Sequence, residues 1–366
     1  MKQAIEKYNL ELRVCGPVFV GCGYEIQKKE YLFLSQNTIG VIDPEKLYMF
    51  AKKRHLSGEL EKFMVTDTKE DLKHWSVRNR IPMEELKKCM KYTENTGDLQ
   101  LEKGKKQIMA CVTDPYGNPY IPGSSIKGML RTILMCAELI RNPGKYEQDA
   151  RQMVRSLRED NLRRNKVLQR NMENMEEKIF HTLNRTDKKQ NAVNDVMSGI
   201  IISDSEPISR ENMILCQKWE KHVEGSNKTI NLLRECVKPE TIIKSTLTFD
   251  REICKISVEE ILENVKMFYQ RYYETFQSKF PSTERGSDRT VFLGGGSGFV
   301  SKTMIYALFE GKDSVQVTKD IFEKTNVPRE HKHYKDLRLG VSPHILKCTR
   351  YKGKEYMMGQ CEINIY

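Results

Sequence analysis

The sequence predicts an α+β fold, and three observations support this. Runs of alternating apolar and polar residues, typical of strands, occur near the amino end, in the middle and at the carboxyl end. Two apolar helical segments, at 126–141 and 258–280, lie between these runs. The order of predicted elements is βαβ-like in each half of the chain, with polar helical segments inserted. We therefore expect two ferredoxin-like halves with helical insertions.

The amino-terminal lobe is predicted to span residues 1–143. Its strands are expected at 8–20, Tyr31–Leu34, Thr38–Ile42 and Gln107–Thr113. Asp43 suits the N-cap and Pro44 the first turn of a helix that runs to about Arg54. Pro122-Gly123 forms a turn that opens an apolar helix, with Ser124 or Ser125 as its cap.

Residues 55–103 are charged and carry few strand signals, so they are expected to form a helical insertion within this lobe. Its helices are predicted at Ser57–Met64, Thr68–Arg78 and Met83–Tyr92. Residues 144–191 form a second, basic insertion, expected as one long helix or a helical hairpin.

The carboxyl-terminal lobe is predicted to span residues 192–366. Its elements are expected as strands at Val196–Ser203, Thr229–Cys236 and Thr241–Phe249, helices at Val258–Phe280 and Lys302–Glu310, and a closing hairpin of Leu346–Tyr351 with Glu355–Tyr366. A glycine-rich loop at 294–298 lies within this lobe.

The charge balance indicates an anionic partner. The chain has 366 residues with 61 Lys and Arg against 50 Asp and Glu, a formal net charge of +11. Such an excess favours nucleic acid first and a membrane surface second. No apolar run approaches the roughly 20 residues of a membrane span, and no signal peptide is evident. We therefore expect a cytoplasmic protein without a membrane partner.

Cysteine and histidine spacing predicts no metal, disulfide or catalytic site. The 10 cysteines are scattered singly without a C-x-x-C pair, as reduced buried thiols are. His331 and His333 are close together, but the nearest cysteine is Cys348, which does not fit a structural zinc motif. The other histidines are isolated in sequence: His55, His74, His181, His222 and His344. We therefore expect no cofactor, no metal and no catalytic residues.

The glycine-rich loop is the most informative stretch. Gly294, Gly295, Gly296 and Gly298 follow an apolar run, and Lys302-Thr303 closes the segment. The pattern fits a tight connection with positive φ, or backbone N–H groups that hold a phosphate. Ser301 stands where a Walker A motif requires glycine, so a nucleotide-hydrolysing P-loop is not favoured.

Two further elements join this loop as candidates for binding a nucleic-acid backbone. Lys127 and Arg131 are four residues apart at the start of the apolar helix, where free N–H groups attract phosphates. Glycines also follow the first strand. The candidate RNA-binding residues are Gly21, Gly23, Ser124, Ser125, Lys127, Arg131, Gly294, Gly295, Gly296, Ser297, Gly298 and Lys302. Basic residues mixed with rings in the carboxyl-terminal third, around His331–Tyr334, also suit RNA.

Three motifs together resemble one family. They are Gly-Pro-Val-Phe-Val-Gly-Cys-Gly at 16–23, Tyr-Ile-Pro-Gly-Ser-Ser-Ile-Lys-Gly-Met-Leu-Arg-Thr at 120–132, and Leu-Gly-Gly-Gly-Ser-Gly-Phe-Val-Ser-Lys-Thr at 293–303. The chain resembles RAMP-superfamily subunits of type III-A CRISPR (Csm) effector complexes. Within that group it is most similar to the fifth Csm subunits, which cap the crRNA 3′ end. Ile42-Asp43-Pro44 and Ser203-Asp204-Ser205 add to this likeness.

The resemblance implies two RRM-like lobes in RAMP architecture and a non-catalytic subunit that binds crRNA near its 3′ end. It also implies contact with target RNA, a neighbouring backbone RAMP subunit and a small helical subunit, and help with crRNA maturation through host nucleases. Members commonly carry His where this chain has Phe19. Two alternatives stay open: a RAMP endoribonuclease that processes CRISPR RNA, and a protein-interaction scaffold without direct RNA contact.

Overall fold

A computed structural model describes residues 4–66, 70–100, 107–158, 167–325 and 327–366. The strands are β1 (Ile5–Val14), β2 (Gly21–Ile26), β3 (Tyr31–Ser35), β4 (Thr38–Ile42), β5 (Met90–Asn95), β6 (Gln107–Cys111), β7 (Ile200–Ile202), β8 (Met213–His222), β9 (Asn227–Val237), β10 (Ile242–Asp250), β11 (Thr290–Phe292), β12 (Ile345–Tyr351), β13 (Lys354–Met357) and β14 (Gln360–Ile365). The helices are α1 (Pro44–Lys53), α2 (Ser57–Val65), α3 (Leu72–Arg78), α4 (Met83–Lys87), α5 (Gly123–Arg141), α6 (Glu147–Arg158), α7 (Val167–Phe180), α8 (Val258–Thr275), α9 (Ile305–Leu308), α10 (Gly311–Lys324) and α11 (Asp336–Leu339). The α+β class is confirmed.

A five-stranded antiparallel sheet carries the main core, in the order β11-β14-β1-β10-β7. Leu10, Leu12 and Val14 of β1 are fully buried and alternate with more exposed residues, as a strand with one covered face requires. The apolar helices α5 and α8 pack against each other in this core and contact β7 and β11, respectively.

A six-stranded sheet runs β13-β12-β8-β9-β6-β2, with β6 and β9 parallel. Both large sheets combine strands from the two predicted lobes, since β1 and β2 pair within the same sheets as strands after residue 200. Grouping into two ferredoxin-like lobes, with boundaries at 143 and 191, stays a prediction. The central strand β8 was missed because its polar residues interrupt the apolar pattern after Cys216.

The predicted insertion at 55–103 contains α2, α3 and α4, but its end was predicted wrongly. Residues 90–95 form strand β5, which pairs with β4, rather than continuing the helix to Tyr92. The strand is polar, so only its pairing in a three-stranded sheet with β3 and β4 reveals it. The helices beside this sheet share a core of their own, around Phe63 and Trp75, whose rings stack at 5.4 Å. Thr68 lies outside the described residues.

Several local predictions are confirmed. Asp43 accepts hydrogen bonds from the N–H groups of Glu45 and Lys46, so it caps α1 as expected. The described parts of the basic insertion contain the helices α6 and α7, which are joined by side-chain contacts such as Lys178 with Asp149. One prediction in this region is met only in part. Instead of a helix over Lys302–Glu310, the structure has the single helical turn α9, and residues 300–302 form a separate 3-10 turn.

Candidate nucleic-acid interface

The glycine-rich loop needs glycine both for its backbone angles and for its packing. Gly294, Gly296 and Gly298 have φ values of +77°, +88° and +99°, in the region that favours glycine. The Gly295 N–H donates to the Phe19 carbonyl at 2.6 Å. A Cβ on Gly294 would lie only 2.1 Å from that same carbonyl oxygen. The first and third sequence motifs therefore meet in space.

The loop also presents backbone donors. Within the described part of the chain, no protein acceptor bonds the N–H groups of Gly296, Ser297 and Gly298. Side-chain bonds hold the loop from inside, since the Ser297 hydroxyl donates to the Gly294 carbonyl and the Ser301 hydroxyl donates to the Ser297 carbonyl. Successive free N–H groups in such a turn form a concave site that suits an anion such as phosphate.

Two cations flank this turn without acidic partners. Arg234 of β9 lies against Gly296, where an added Cβ would be 3.1 Å from its Nη1 atom, and its guanidinium stacks 5.5 Å from the Phe19 ring centre. Desolvation lowers the pKa of Arg234, and desolvation together with the charge of Arg234 lowers the pKa of Lys302. Among the described residues, no acid forms an ion pair with Arg234 or Lys302. The pair thus offers uncompensated positive charge beside the free N–H groups.

Sequence reasoning missed Arg234 because it lies inside a strand, beside Glu235 and far from any glycine motif. The neighbouring lysines are compensated instead. Lys347 and Lys218 approach the Glu220 carboxylate at 2.6 and 3.1 Å. Burial opposes ionisation of Glu220, but these two lysines outweigh it and lower its pKa to about 2.

Gly21 and Gly23 lie at the start of β2, and both are exposed. A Cβ on Gly21 would lie 2.6 Å from the Phe19 ring, so this glycine allows the ring to pack. Gly23 has a φ of +85° and open space around it, within the irregular pairing of β2 with β6. Gly21 therefore adjoins the glycine-rich loop through Phe19, whereas Gly23 shapes only its own strand.

The predicted cap of α5 is wrong. The helix begins at Gly123 with Pro122 as N-cap, and neither Ser124 nor Ser125 caps it through its side chain. Asp204, from the loop after β7, accepts the Gly123 N–H at 2.8 Å instead. A carboxylate already occupies this helix N-terminus, where the sequence predicted a phosphate. Ser124 is exposed and Ser125 half-buried.

Arg131 makes internal contacts in this structure, and its role in RNA binding stays a prediction. Its guanidinium pairs with Asp195, lies 3.6 Å from Glu176 and covers the Phe180 ring at 4.9 Å. These contacts fasten α5 to α7 and to the turn before β7. Lys127 is half-buried without an ion pair in the described ranges, and desolvation and the charge of Arg131 lower its pKa.

The start of α5 and the glycine-rich loop do not form one site. The former packs on the segment after β7 and the latter follows β11, at opposite edges of the five-stranded sheet. Four strand spacings of about 4.8 Å separate these edges by roughly 19 Å. The candidate interface is therefore the loop Gly294–Gly298 with Arg234 and Lys302.

A cavity of about 210 Å³ adjoins this interface. Ser297 and Gly298 border it together with His331, His333 and Lys347. Its remaining walls are mainly apolar and include Phe276, Phe299, Phe322, Val327, Pro343, Ile345 and Leu346. The mixture of rings with a few polar groups is typical of ligand sites.

The described helices include none that is both long and apolar enough to cross a membrane.

The thiols match the expectation from the sequence. All 10 cysteines are free, and most of them are buried, with Cys22 exposed and Cys15 half-buried.

Comparison with known proteins gives full-length relatives. The chain is 28% identical over 401 residues, covering 100% of this chain and 99% of the relative, to the CRISPR system Cms protein Csm5 of Mycobacterium tuberculosis (strain CDC 1551 / Oshkosh). It is 26% identical to the Csm5 protein of Enterococcus italicus, covering 87% of this chain and 85% of that protein.

Solved structures share the fold. A chain in the cryo-EM structure of a Csm-crRNA-target RNA ternary complex of a type III-A CRISPR-Cas system superposes with a TM-score of 0.63 at 19% identity, covering 98% of this chain and 100% of that one. The crystal structure of T. onnurineus Csm5 gives a TM-score of 0.60 at 17% identity, covering 96% and 99%. The family model of the RAMP superfamily matches residues 11–301. The chain therefore belongs to the RAMP superfamily.

Proposed function

We propose that this protein is a non-catalytic, crRNA-binding subunit of a type III-A CRISPR-Cas (Csm) ribonucleoprotein. It contacts the 3′ region of the crRNA and assists crRNA maturation and antiviral interference. Its full-length similarity to Csm5 proteins supports this proposal, as does the fold that it shares with a chain of a Csm-crRNA-target RNA complex. In the complex it adjoins a backbone RAMP subunit, the small helical subunit and target RNA, and host nucleases complete the maturation.

One observation carries the RNA-binding part of the proposal. The N–H groups of Gly296, Ser297 and Gly298 lack protein acceptors in the described chain, and Arg234 and Lys302 beside them lack acidic partners. A phosphodiester group would accept from these N–H groups and neutralise the two cations. Because N–H groups and cations of this kind would bind phosphates rather than base edges, binding is expected to depend little on sequence and strongly on salt.

Filter binding of labelled single-stranded RNA tests the proposal, with the protein alone and with its neighbouring subunits. The double substitution Arg234→Gln and Lys302→Gln removes both cations. Each lost phosphate contact is expected to reduce the magnitude of the negative slope of log affinity against log salt by about 0.7. The slope of the double variant should therefore be shallower by about 1.4. Lys53→Gln, an exposed residue on α1, removes one charge elsewhere and should leave the slope unchanged.

Three results would contradict the proposal. The absence of affinity for RNA at low salt, both alone and in the assembled complex, would favour a protein-interaction scaffold. RNA binding unchanged in the double variant, with folding verified by circular dichroism, would place the interface elsewhere. Cleavage of labelled RNA by the isolated protein, abolished by one substitution, would identify an endoribonuclease instead.

A further inference from the structure

Four of the 7 histidines gather at one place in the fold. The ring centres of His331 and His333 are 5.9 Å apart, those of His333 and His344 are 5.3 Å apart, and those of His344 and His222 are 5.7 Å apart. His222 and His344, isolated in the sequence, therefore belong to a cluster. It assembles from the end of β8, the turns before α11 and the residue preceding β12.

Asp336 lies at the centre of this cluster and is completely buried. Its two carboxylate oxygens face different imidazoles, with Oδ2 2.9 Å from His333 Nδ1 and Oδ1 2.5 Å from His344 Nδ1. The Ser342 hydroxyl donates to Oδ2 at 2.5 Å. One potential ligand atom from each of His333, Asp336 and His344 lies within 4.8 Å of the other two.

The charge of this buried carboxylate requires compensation. Within the described ranges, the side-chain hydrogen-bond partners of its carboxylate are the His333 and His344 rings and the Ser342 hydroxyl. No Lys or Arg pairs with Asp336 in the described ranges. An ionised carboxylate away from water is costly unless a cation lies beside it. A metal ion bound between the two imidazoles and the carboxylate would supply such a cation.

We propose that His333, Asp336 and His344 bind a divalent transition-metal ion, with zinc favoured by the two nitrogen donors and one oxygen donor. Bonds of about 2.0–2.1 Å in a tetrahedral site separate ligand atoms by roughly 3.3 Å. The ligand atoms, taken one per residue, lie within 4.8 Å of one another, so shifts of about 1.5 Å or less would bring them to this spacing. A water molecule or a neighbouring imidazole would supply the fourth ligand.

The ion would fasten a segment that has little regular structure of its own. Residues 329–339 consist of two 3-10 turns and the short α11, with Lys332 at a φ of +55° between the turns. His331 and His333 in this segment also border the cavity beside the glycine-rich loop. Metal binding would thus fix one wall of the candidate RNA interface to β12. The metal site itself does not depend on RNA binding.

Metal content of the full chain, purified without a polyhistidine tag, tests this inference. After chelation, dialysis and incubation with excess zinc, repeated washing should leave about one zinc per chain, measured by mass spectrometry. His344→Gln and Asp336→Asn should each weaken zinc binding more than about tenfold. His74→Gln is the matched control, because His74 forms an exposed pair with Asp71 at 2.7 Å and the same sequence separation as His333 and Asp336.

The wild-type protein also gives a readout that does not depend on whether the variants fold. Cobalt in place of zinc should produce the visible absorption of a tetrahedral nitrogen–oxygen site. Chelation should lower the melting temperature, and zinc should restore it. The inference is overturned if the wild type retains no stoichiometric zinc and shows no cobalt spectrum. It is also overturned if His74→Gln loses as much zinc as His344→Gln.

Discussion

Replacing Gly294 with alanine should destabilise the glycine-rich loop by an amount that the structure allows us to work out. An alanine at a φ of +77° carries a backbone cost of about 1–2 kcal/mol. Its Cβ would also lie 2.1 Å from the Phe19 carbonyl oxygen, and relieving that overlap separates the acceptor from the Gly295 N–H. Loss of this hydrogen bond adds about 0.5–1.5 kcal/mol. The total is about 2–4 kcal/mol once residual strain is included.

Differential scanning calorimetry measures the effect. An unfolding entropy of about 2.1 cal/mol/K per residue converts 2–4 kcal/mol into a melting temperature lower by roughly 3–5 °C for a chain of this length. Gly298→Ala is the control, because Gly298 also has positive φ, at +99°, but a Cβ there meets no atom within 4 Å. It carries the backbone cost alone and should lower the melting temperature by roughly 1–3 °C.

The two variants together separate strain from contact. If Gly294→Ala is no less stable than Gly298→Ala, the close approach to Phe19 does not constrain the loop, and the reasoning is refuted. If it is less stable and both folded variants lose RNA affinity equally, the loop acts through its shape. Retained RNA affinity in both would place the RNA contact outside Gly294–Gly298.

Three further predictions follow from the contacts around the sheets. Glu220→Gln should lower the free energy of unfolding by roughly 3 kcal/mol at pH 7, because folding lowers the pKa of Glu220 from an ordinary value near 4.5 to about 2. That contribution is present above pH 4.5 and is lost as the pH falls through 2, so urea unfolding of the two proteins should converge in acid; a constant gap would contradict it. Asp204→Ala should lower the free energy of unfolding in urea by about 0.5–2 kcal/mol, because α5 loses its cap. Ser124→Ala should change it by no more than about 0.5 kcal/mol. If Ser124→Ala had the larger effect, Ser124 rather than Asp204 would be the cap. Arg131→Gln should lower stability by leaving Asp195 unpaired, while the folded variant keeps its RNA affinity in filter binding; a selective loss of RNA binding would return Arg131 to the interface.

The internal ion pairs of Arg131 and the distance of the α5 start from the glycine-rich loop focus the candidate RNA interface on that loop. Arg234 and Lys302 then account for the uncompensated charge beside the glycine-rich loop. The proposed metal site lies beside the same cavity, which His333 borders together with Ser297 and Gly298 of the loop. One region would thus combine free backbone N–H groups, two cations and the segment 329–339, which the metal ion would hold in place.

Features that depend on only a few consecutive residues were predictable from the sequence. Asp43 and Pro44 mark the start of α1, because a cap acts on N–H groups two and three residues later. The spacing of apolar residues placed α5 and α8, since one face of each helix is buried. The glycine-rich loop was also evident, because positive φ is a property of the individual residue.

Only the tertiary structure decided which partners these residues have. Asp204 caps α5 from 81 residues away in sequence, a separation that no local pattern records. The polar strand β5 exists because β4 offers it an edge, and Arg234 reaches Gly296 because β9 passes beneath the loop. The histidines around Asp336 come from separate segments. Sequence determines local backbone preferences, whereas charge compensation and metal geometry depend on groups that only folding brings together.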